Sequence, residues 1–247
     1  MASRTAPPTH SPGSVSRTAP HATPGRRVAV LAGAVLLVIA ALGAFGGLVV
    51  VEGLVTDGDA GRTAADVTGS RGLFGLGVAA LYVVALLDVV VAWALLRFFE
   101  PVVSHLARLS AYLRVAYAAV FIVAISQLAG VPGILEQESG AFSTAQLQDQ
   151  ALAKAEAFHD IWFAGLVLFG AHLAVLGLLV LRSTSAPRAI GILLGVAGAG
   201  YVFDTFYEVL RPDTTLTVST VTFVGEFLLA FWLVAKAGRV VSAGDSR

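Results

Sequence analysis

Apolar positions along this chain gather into six long runs, at 28–51, 73–98, 109–131, 158–181, 190–210 and 216–235, with short polar stretches between them. A helix needs ~20 mostly apolar residues to cross a hydrocarbon core ~30 Å thick. Each run meets that requirement. The pattern therefore predicts an all-α, polytopic membrane bundle of six transmembrane helices. Pro132-Gly133 stops the third run and Arg211-Pro212 ends the fifth. The one sizeable segment expected beyond the outer ends of the spans is 132–157, with turn signals at Pro132-Gly133 and Ser139-Gly140. Within it, Ser143 or Thr144 is placed to cap a helix running through Gln146, Leu147, Leu152 and Ala155 into the fourth span. That extension is expected either to project from the membrane or to lie over the outer mouth. Phe98, Phe99, Trp162, Tyr207 and Trp232 fall where aromatic interface anchors are expected.

The transmembrane domain spans 27–238, flanked by tails at 1–26 and 239–247. The first tail holds Pro7, Pro8, Pro12, Pro20 and Pro24 among Ser, Thr and Ala, and is expected to be disordered. Arg26 and Arg27 then abut the first run. That run exceeds the ~7–15 apolar residues of a signal peptide, so an uncleaved first span is expected. A cytoplasmic basic flank explains the Arg pair, with a twin-arginine signal as the alternative.

Composition sharpens the class. Of 247 residues, 57% are hydrophobic and 13% charged, against about 45–50% and about 25% in a soluble domain. Mean hydropathy is +0.82. A disordered chain and an ordinary soluble enzyme are excluded. Sixteen Lys and Arg balance 16 Asp and Glu, and no clustered basic surface suggests a nucleic-acid partner. With no cysteine, disulfides, thiol catalysis, iron–sulfur clusters and Cys-type zinc sites are excluded.

Basic residues set the expected orientation. With the N-terminus inside, the cytoplasmic segments hold Arg4, Arg17, Arg26, Arg27, Arg97, Arg108, Arg114, Arg182, Arg188, Lys236, Arg239 and Arg247. The other side holds only Arg62, Arg71, Lys154 and Arg211. The positive-inside rule then places both termini in the cytoplasm, in the inner (plasma) membrane of a bacterium.

Most spans are interrupted by ionisable residues. An ionised side chain at mid-bilayer costs at least ~2.5–3.5 kcal/mol, so such groups must face protein or water and find partners. Asp88 lies nine residues before Arg97, His172 ten before Arg182 and Glu226 ten before Lys236. At 1.5 Å per residue each sits ~14–15 Å from the basic flank, near the midplane. Arg114 lies about 9 Å in from Arg108, and the hairpin through Pro101 makes Asp88 and Arg114 natural partners. Asp88, Arg114, His172 and Glu226 form the candidate intramembrane polar cluster. Glu226 shares its face with Ser219 and Thr222. A second, outer cluster gathers around Asp204, with Tyr201, Tyr207 and Glu208 at helical spacing. His159-Asp160 is expected to be an interfacial pair.

Each feature also has a purely structural reading. Asp88–Arg114 would fix helix register, and His172 would bridge helices by hydrogen bonds, carry protons or bind a metal. The stripe through Glu226 is either interhelical glue or the wall of a wet cavity. Gly43-xxx-Gly47 and Gly191-xxx-Gly195 are expected to permit close helix contacts. The glycines crowding the fifth run place it in the bundle centre. No Walker, Gly-x-Ser-x-Gly, nucleotide-loop or His-Glu-x-x-His motif is present. Gly195 to Gly200 lies within an apolar run and is no cofactor loop, so no cofactor is expected. No metal site is assigned, although His172, Glu226 and Asp88 are ligand types that suit zinc.

Five segments carry a resemblance: LLDVVVAWALLRFFEPV (86–102), AYLRVAYAAV (111–120), FHDIWFAGLVLFGAHLAVLGLLVLRS (158–183), IGILLGVAGAGYVFDTF (190–206) and VGEFLLAFWLVAKAG (224–238). In order and content they resemble the bacterial membrane-protein family called domain of unknown function 4386, from Arg27 to Gly238. The resemblance implies the membrane fold and supplies no substrate. Three functional readings stay open: a non-catalytic sensory or accessory protein, a proton- or ion-coupled small-molecule transporter, and an intramembrane metal-dependent hydrolase. The expected partner is the lipid bilayer, with self-association or another membrane protein left open.

Overall fold

The computed structural model describes residues 24–137, 140–210 and 224–235, and among them every regular element is helical. The helices are α1 (Pro24–Ala44), α2 (Glu52–Leu54), α3 (Ala60–Gly69), α4 (Arg71–Phe99), α5 (Ser104–Leu135), α6 (Thr144–Arg182), α7 (Arg188–Leu210) and α8 (Val224–Ala235). A π-helical stretch, Phe45–Val51, joins α1 to α2. Five stretches are long and apolar enough to cross a membrane: Gly25–Leu54, Arg71–Phe99, Ser104–Leu135, Thr144–Arg182 and Arg188–Glu208. The sixth expected span corresponds in part to α8, a shorter apolar helix. Residues 216–223 of that run, with Ser219 and Thr222, lie outside the described residues, as do both expected tails apart from 24–26.

Among the described residues, α1, α4, α5, α6, α7 and α8 pack as a closed ring. In chain order α4 lies on α5, α5 on α6, α6 on α7 and α7 on α8, while α1 closes the circle between α4 and α8. Short turns impose much of this order. Residues 100–103 reverse the chain between α4 and α5, where Glu100 accepts from Arg97 at 3.3 Å and pairs with Arg108 at 3.5 Å. Ser143 caps α6 as expected: its hydroxyl accepts from the Gln146 amide at 3.3 Å, and the Gln146 side chain accepts from the Ser143 amide at 2.8 Å.

Two apolar cores stack along the ring axis. One lies toward the Arg-rich end and includes Leu36, Leu95, Leu176, Leu194 and Leu233. The other lies toward the α3 end and includes Val50, Phe74, Phe121, Leu128 and Leu166. Residues 88 on α4, 110–114 on α5, 172 on α6 and 226 on α8 fall between these cores.

Several expectations need correction. Pro132-Gly133 does not stop the third span, because α5 continues to Leu135. A proline in the last turn forfeits only one hydrogen bond, and its own carbonyl still accepts from the Glu136 amide at 3.1 Å. A further short helix, α3, near the N-terminal end of α6, was not expected. Asp59 caps it by accepting from the Arg62 amide at 2.9 Å, and Thr63, Ala64 and Val67 bury its inner face against α5 and α6.

Glycine packing also differs. A Cβ on Gly43 or Gly47 would meet nothing within 4 Å, so that pair makes no close helix contact. Close contact falls to Gly46 instead, where a Cβ would meet Leu81 at 2.8 Å and the Gly77 carbonyl at 2.9 Å. Between α6 and α7 the backbones touch through two glycine pairs one heptad apart. Gly177 meets Gly191, whose carbonyl would lie 2.7 Å from a Cβ at 177, and Gly170 meets Gly198 at the same distance. A Cβ on Gly195 would meet nothing within 4 Å, yet the Gly195 backbone nitrogen would lie 2.9 Å from a Cβ at 177, so Gly191 and Gly195 both take part in this close contact, as expected. These glycines do not put α7 at the bundle centre. It lies on the ring, with Ile192, Val196 and Phe206 exposed along its outer side.

Candidate functional site

Arg114 organises the layer between the two cores. It projects from α5 with Ser110 one turn before and Tyr117 one turn after, all three buried. Its side chain is 1% exposed. A guanidinium carries five N–H donors, and the neighbouring helices supply acceptors. Asp88 Oδ1 on α4 accepts from Nε at 2.8 Å and lies 2.6 Å from Nη2. Glu226 Oε1 on α8 accepts from Nη1 at 3.0 Å. His172 Nε2 on α6 lies 3.2 Å from the same Nη1. The guanidinium carbon also stands 5.4 Å above the Phe169 ring, in cation–π range.

These contacts fix the state of the imidazole. Arg114 can only donate, so Nε2 of His172 presents its lone pair. Nδ1 then carries the hydrogen and donates to the Ser110 carbonyl at 2.9 Å, with the Ser110 hydroxyl oxygen also 2.9 Å away. Both ring nitrogens are engaged, and the group facing Nε2 is a guanidinium. The arrangement leaves no lone pair on His172 for a metal and sets a positive charge beside the one that would serve.

Glu226 stands apart from its partners. Its side chain is 23% exposed, against 3% for Asp88. That exposure opens on a cavity of about 630 Å³, bounded by α1, α4, α5, α6 and α8. Asp88, Arg114 and Glu226 lie at its polar end, and its walls are mostly apolar and aromatic. Gly43 and Ala44 of α1 and Gly47 of the π-helical stretch line it as well, which gives the small-residue stripe of the first run a role other than helix packing. A second hollow of about 540 Å³ shares Val51, Glu52, Phe158 and His159 with the first. Asp57, Glu156 and Asp160 line it too.

Asp88, Arg114, His172 and Glu226 are thus brought together. Asp204 is buried, Tyr201 packs edge-on against Phe169, Tyr207 stacks on Phe203, and Glu208 is exposed. His159 and Asp160 both line the outer hollow. Four contributors were missed from sequence: Ser110, Tyr117, Trp162 and Phe169. Ser110, Arg114, Tyr117 and Phe121 recur at four, three and four residues, a helical face that starting from Arg114 would have exposed. Trp162 was expected at an interface, but its indole donates to the Tyr117 hydroxyl at 3.0 Å and lines the cavity.

Comparison with known proteins adds a family and no activity. The family model described as Domain of unknown function (DUF4386) matches residues 31–237. A relative from Archaeoglobus fulgidus, titled "Uncharacterized protein", is 30% identical over 165 residues, covering 67% of this chain and 85% of its own. No solved structure matches the chain.

Proposed function

The chain belongs to the family of unknown function DUF4386, and from that premise we propose a multi-pass membrane protein that binds a small molecule in its membrane-embedded cavity and couples binding to a proton or cation at Glu226. The role is of transport type. The proposal includes six spans, both termini in the cytoplasm and residence in a bacterial inner membrane, on the strength of the Lys and Arg distribution.

The observation that carries this reading is the division of labour within the cluster. Asp88, Arg114 and His172 are buried and mutually satisfied, with Asp88 and Arg114 at the cavity's edge, which suits a brace that fixes the register of α4, α5 and α6. Glu226 shares the guanidinium but faces the cavity, with 23% of its side chain exposed. Two carboxylates and one guanidinium with a neutral imidazole leave one negative charge to be offset within the bilayer. A proton or a cation supplied through the cavity meets that need. The engagement of both nitrogens of His172 counts against the hydrolase reading.

The test is proton movement through the reconstituted full chain. Vesicles loaded with a pH-sensitive dye and held under an imposed potential should show protein-dependent proton entry. Glu226→Gln should abolish it while leaving the melting temperature near that of the wild type. Equal flux in both proteins would contradict the role given to Glu226, and flux in neither would contradict the coupling.

A further inference from the structure

We infer that the cavity takes a monovalent organic cation with an apolar, preferably aromatic, body, and that this cation and a proton replace one another at Glu226. The inference rests on the small-molecule reading above and names its ligand class.

Charge balance comes first. Glu226 faces Arg114 of α5 directly, with Asp88 of α4 and His172 of α6 on the same guanidinium. Tyr201 of α7 lines a hollow that Glu226 also lines, and the α1 residues lining it with them are aliphatic or glycine. Among the described residues, one fixed positive charge therefore serves two carboxylates. Leaving a charge uncompensated in a low-dielectric interior is strongly unfavourable. A proton on the Glu226 carboxyl closes the deficit. A bound monovalent cation closes it equally well, and the two cannot both be needed. When the cation arrives, the Glu226 O–H bond breaks and its proton leaves to water. The carboxylate then faces the cation, and the net charge of the site is unchanged.

Size and lining separate an organic cation from a bare ion. The volume of about 630 Å³ lies within the ~300–1,000 Å³ of small-molecule sites and far exceeds what an inorganic ion needs. Tyr117, Phe121, Phe158, Trp162, Phe169 and Phe227 contribute to its lining. Aromatic faces attract cations electrostatically, and the site already uses that attraction where Arg114 sits over Phe169. The route inward has the matching sign. Glu52, Asp57, Glu156 and Asp160 line the outer hollow, and no Lys or Arg is among its described lining. A cleft lined by one sign of charge concentrates ions of the other and repels like ones.

Tetraphenylphosphonium and tetraphenylborate provide a probe pair of matched shape and opposite charge. The chain has three tryptophans, so Trp93→Phe with Trp232→Phe leaves Trp162 as a reporter inside the cavity. In the reconstituted full chain, tetraphenylphosphonium should change Trp162 fluorescence saturably and release about one proton per cation bound in weakly buffered medium, as the replacement of one charge by another requires. Glu226→Gln should weaken binding at least about tenfold and remove the proton release. Gly43→Phe, which fills open space without touching a charge, should abolish binding in a folded protein even if Glu226→Gln fails to fold. Tetraphenylborate should give no saturable change. Saturable binding of tetraphenylborate with equal affinity, blocked by Gly43→Phe, would overturn the cation inference and leave the cavity reading standing. Binding of neither probe, or binding insensitive to Gly43→Phe, would overturn both.

Discussion

Arg114 and Asp88 meet through two nitrogens and one oxygen: Nε at 2.8 Å and Nη2 at 2.6 Å both converge on Oδ1. The pair joins α4 to α5 at the level where the two apolar cores separate. Because the site is buried, removing Arg114 strands Asp88 and Glu226 without a counter-charge, at about 3–5 kcal/mol, whereas removing Asp88 leaves Arg114 paired with Glu226. Arg114→Met should therefore lower the melting temperature more than Asp88→Ala does. Thermal unfolding in detergent checks this, and an Asp88→Ala variant less stable than Arg114→Met would contradict it.

His172 offers a sharper test of the same layer. Nε2 accepts from Arg114 and the Nδ1 hydrogen points at Ser110. Replacing the ring with Phe strands an Arg114 hydrogen, at about 1–3 kcal/mol for a buried group left unpaired, while the Ser110 carbonyl keeps its helical bond within α5. Gln restores an acceptor near Nε2 and should recover part of that loss. Nitrogen NMR of the labelled protein should find the His172 hydrogen on Nδ1. A hydrogen on Nε2 would contradict the assignment.

The glycines separate packing from open space. A Cβ at Gly198 would run into the Gly170 carbonyl and the Ala174 amide, whereas one at Gly195 meets nothing within 4 Å. Gly198→Ala should destabilise by about 1–3 kcal/mol, the usual range for overpacking. Gly195→Ala should be neutral or stabilising by up to about 1 kcal/mol, the helix propensity difference. Stability curves for the two variants decide it, and equal effects would contradict the packing assigned to α6 and α7.

Much of this arrangement was legible in the sequence, for reasons that are physical. Depth is readable because a helix advances a fixed distance per residue, so counting from Arg97, Arg182 and Lys236 set Asp88, His172 and Glu226 at one level. The cost of a charge in lipid then required them to face protein. Rotation about each helix axis is less readable. Gly43-xxx-Gly47 carries the same spacing whether it faces a helix or a cavity, and only the approach of Gly46 to Gly77 decides which. Trp162 looked like an interface anchor because the fourth span was expected to begin at Phe158, yet it is half-buried and its indole is held by the Tyr117 hydroxyl. Position along the ring, as for α7, depends on all six helices together.

Orientation has its own test in a chain without native cysteine. Ser143 and Ser185 lie at opposite ends of α6, whose 39 residues extend ~58 Å. A single cysteine at Ser143 should react with an impermeant maleimide on intact cells, and one at Ser185 or Ser242 only after permeabilisation. The reverse pattern would invert the topology, and labelling of Ser143 and Ser242 from one side would break the even span count.

The separation of Glu226 from Asp88 is the point on which the functional reading turns, and it can be probed by chemical labelling. Dicyclohexylcarbodiimide is an apolar reagent that modifies protonated carboxyl groups within membranes. The reconstituted chain would be treated across a pH series and digested, and its adducts mapped by mass spectrometry. The predicted result is an adduct on Glu226, none on Asp88, and loss of the Glu226 adduct in Gly43→Phe. An adduct on Asp88 as abundant as that on Glu226, or none on Glu226 at any pH, would contradict it.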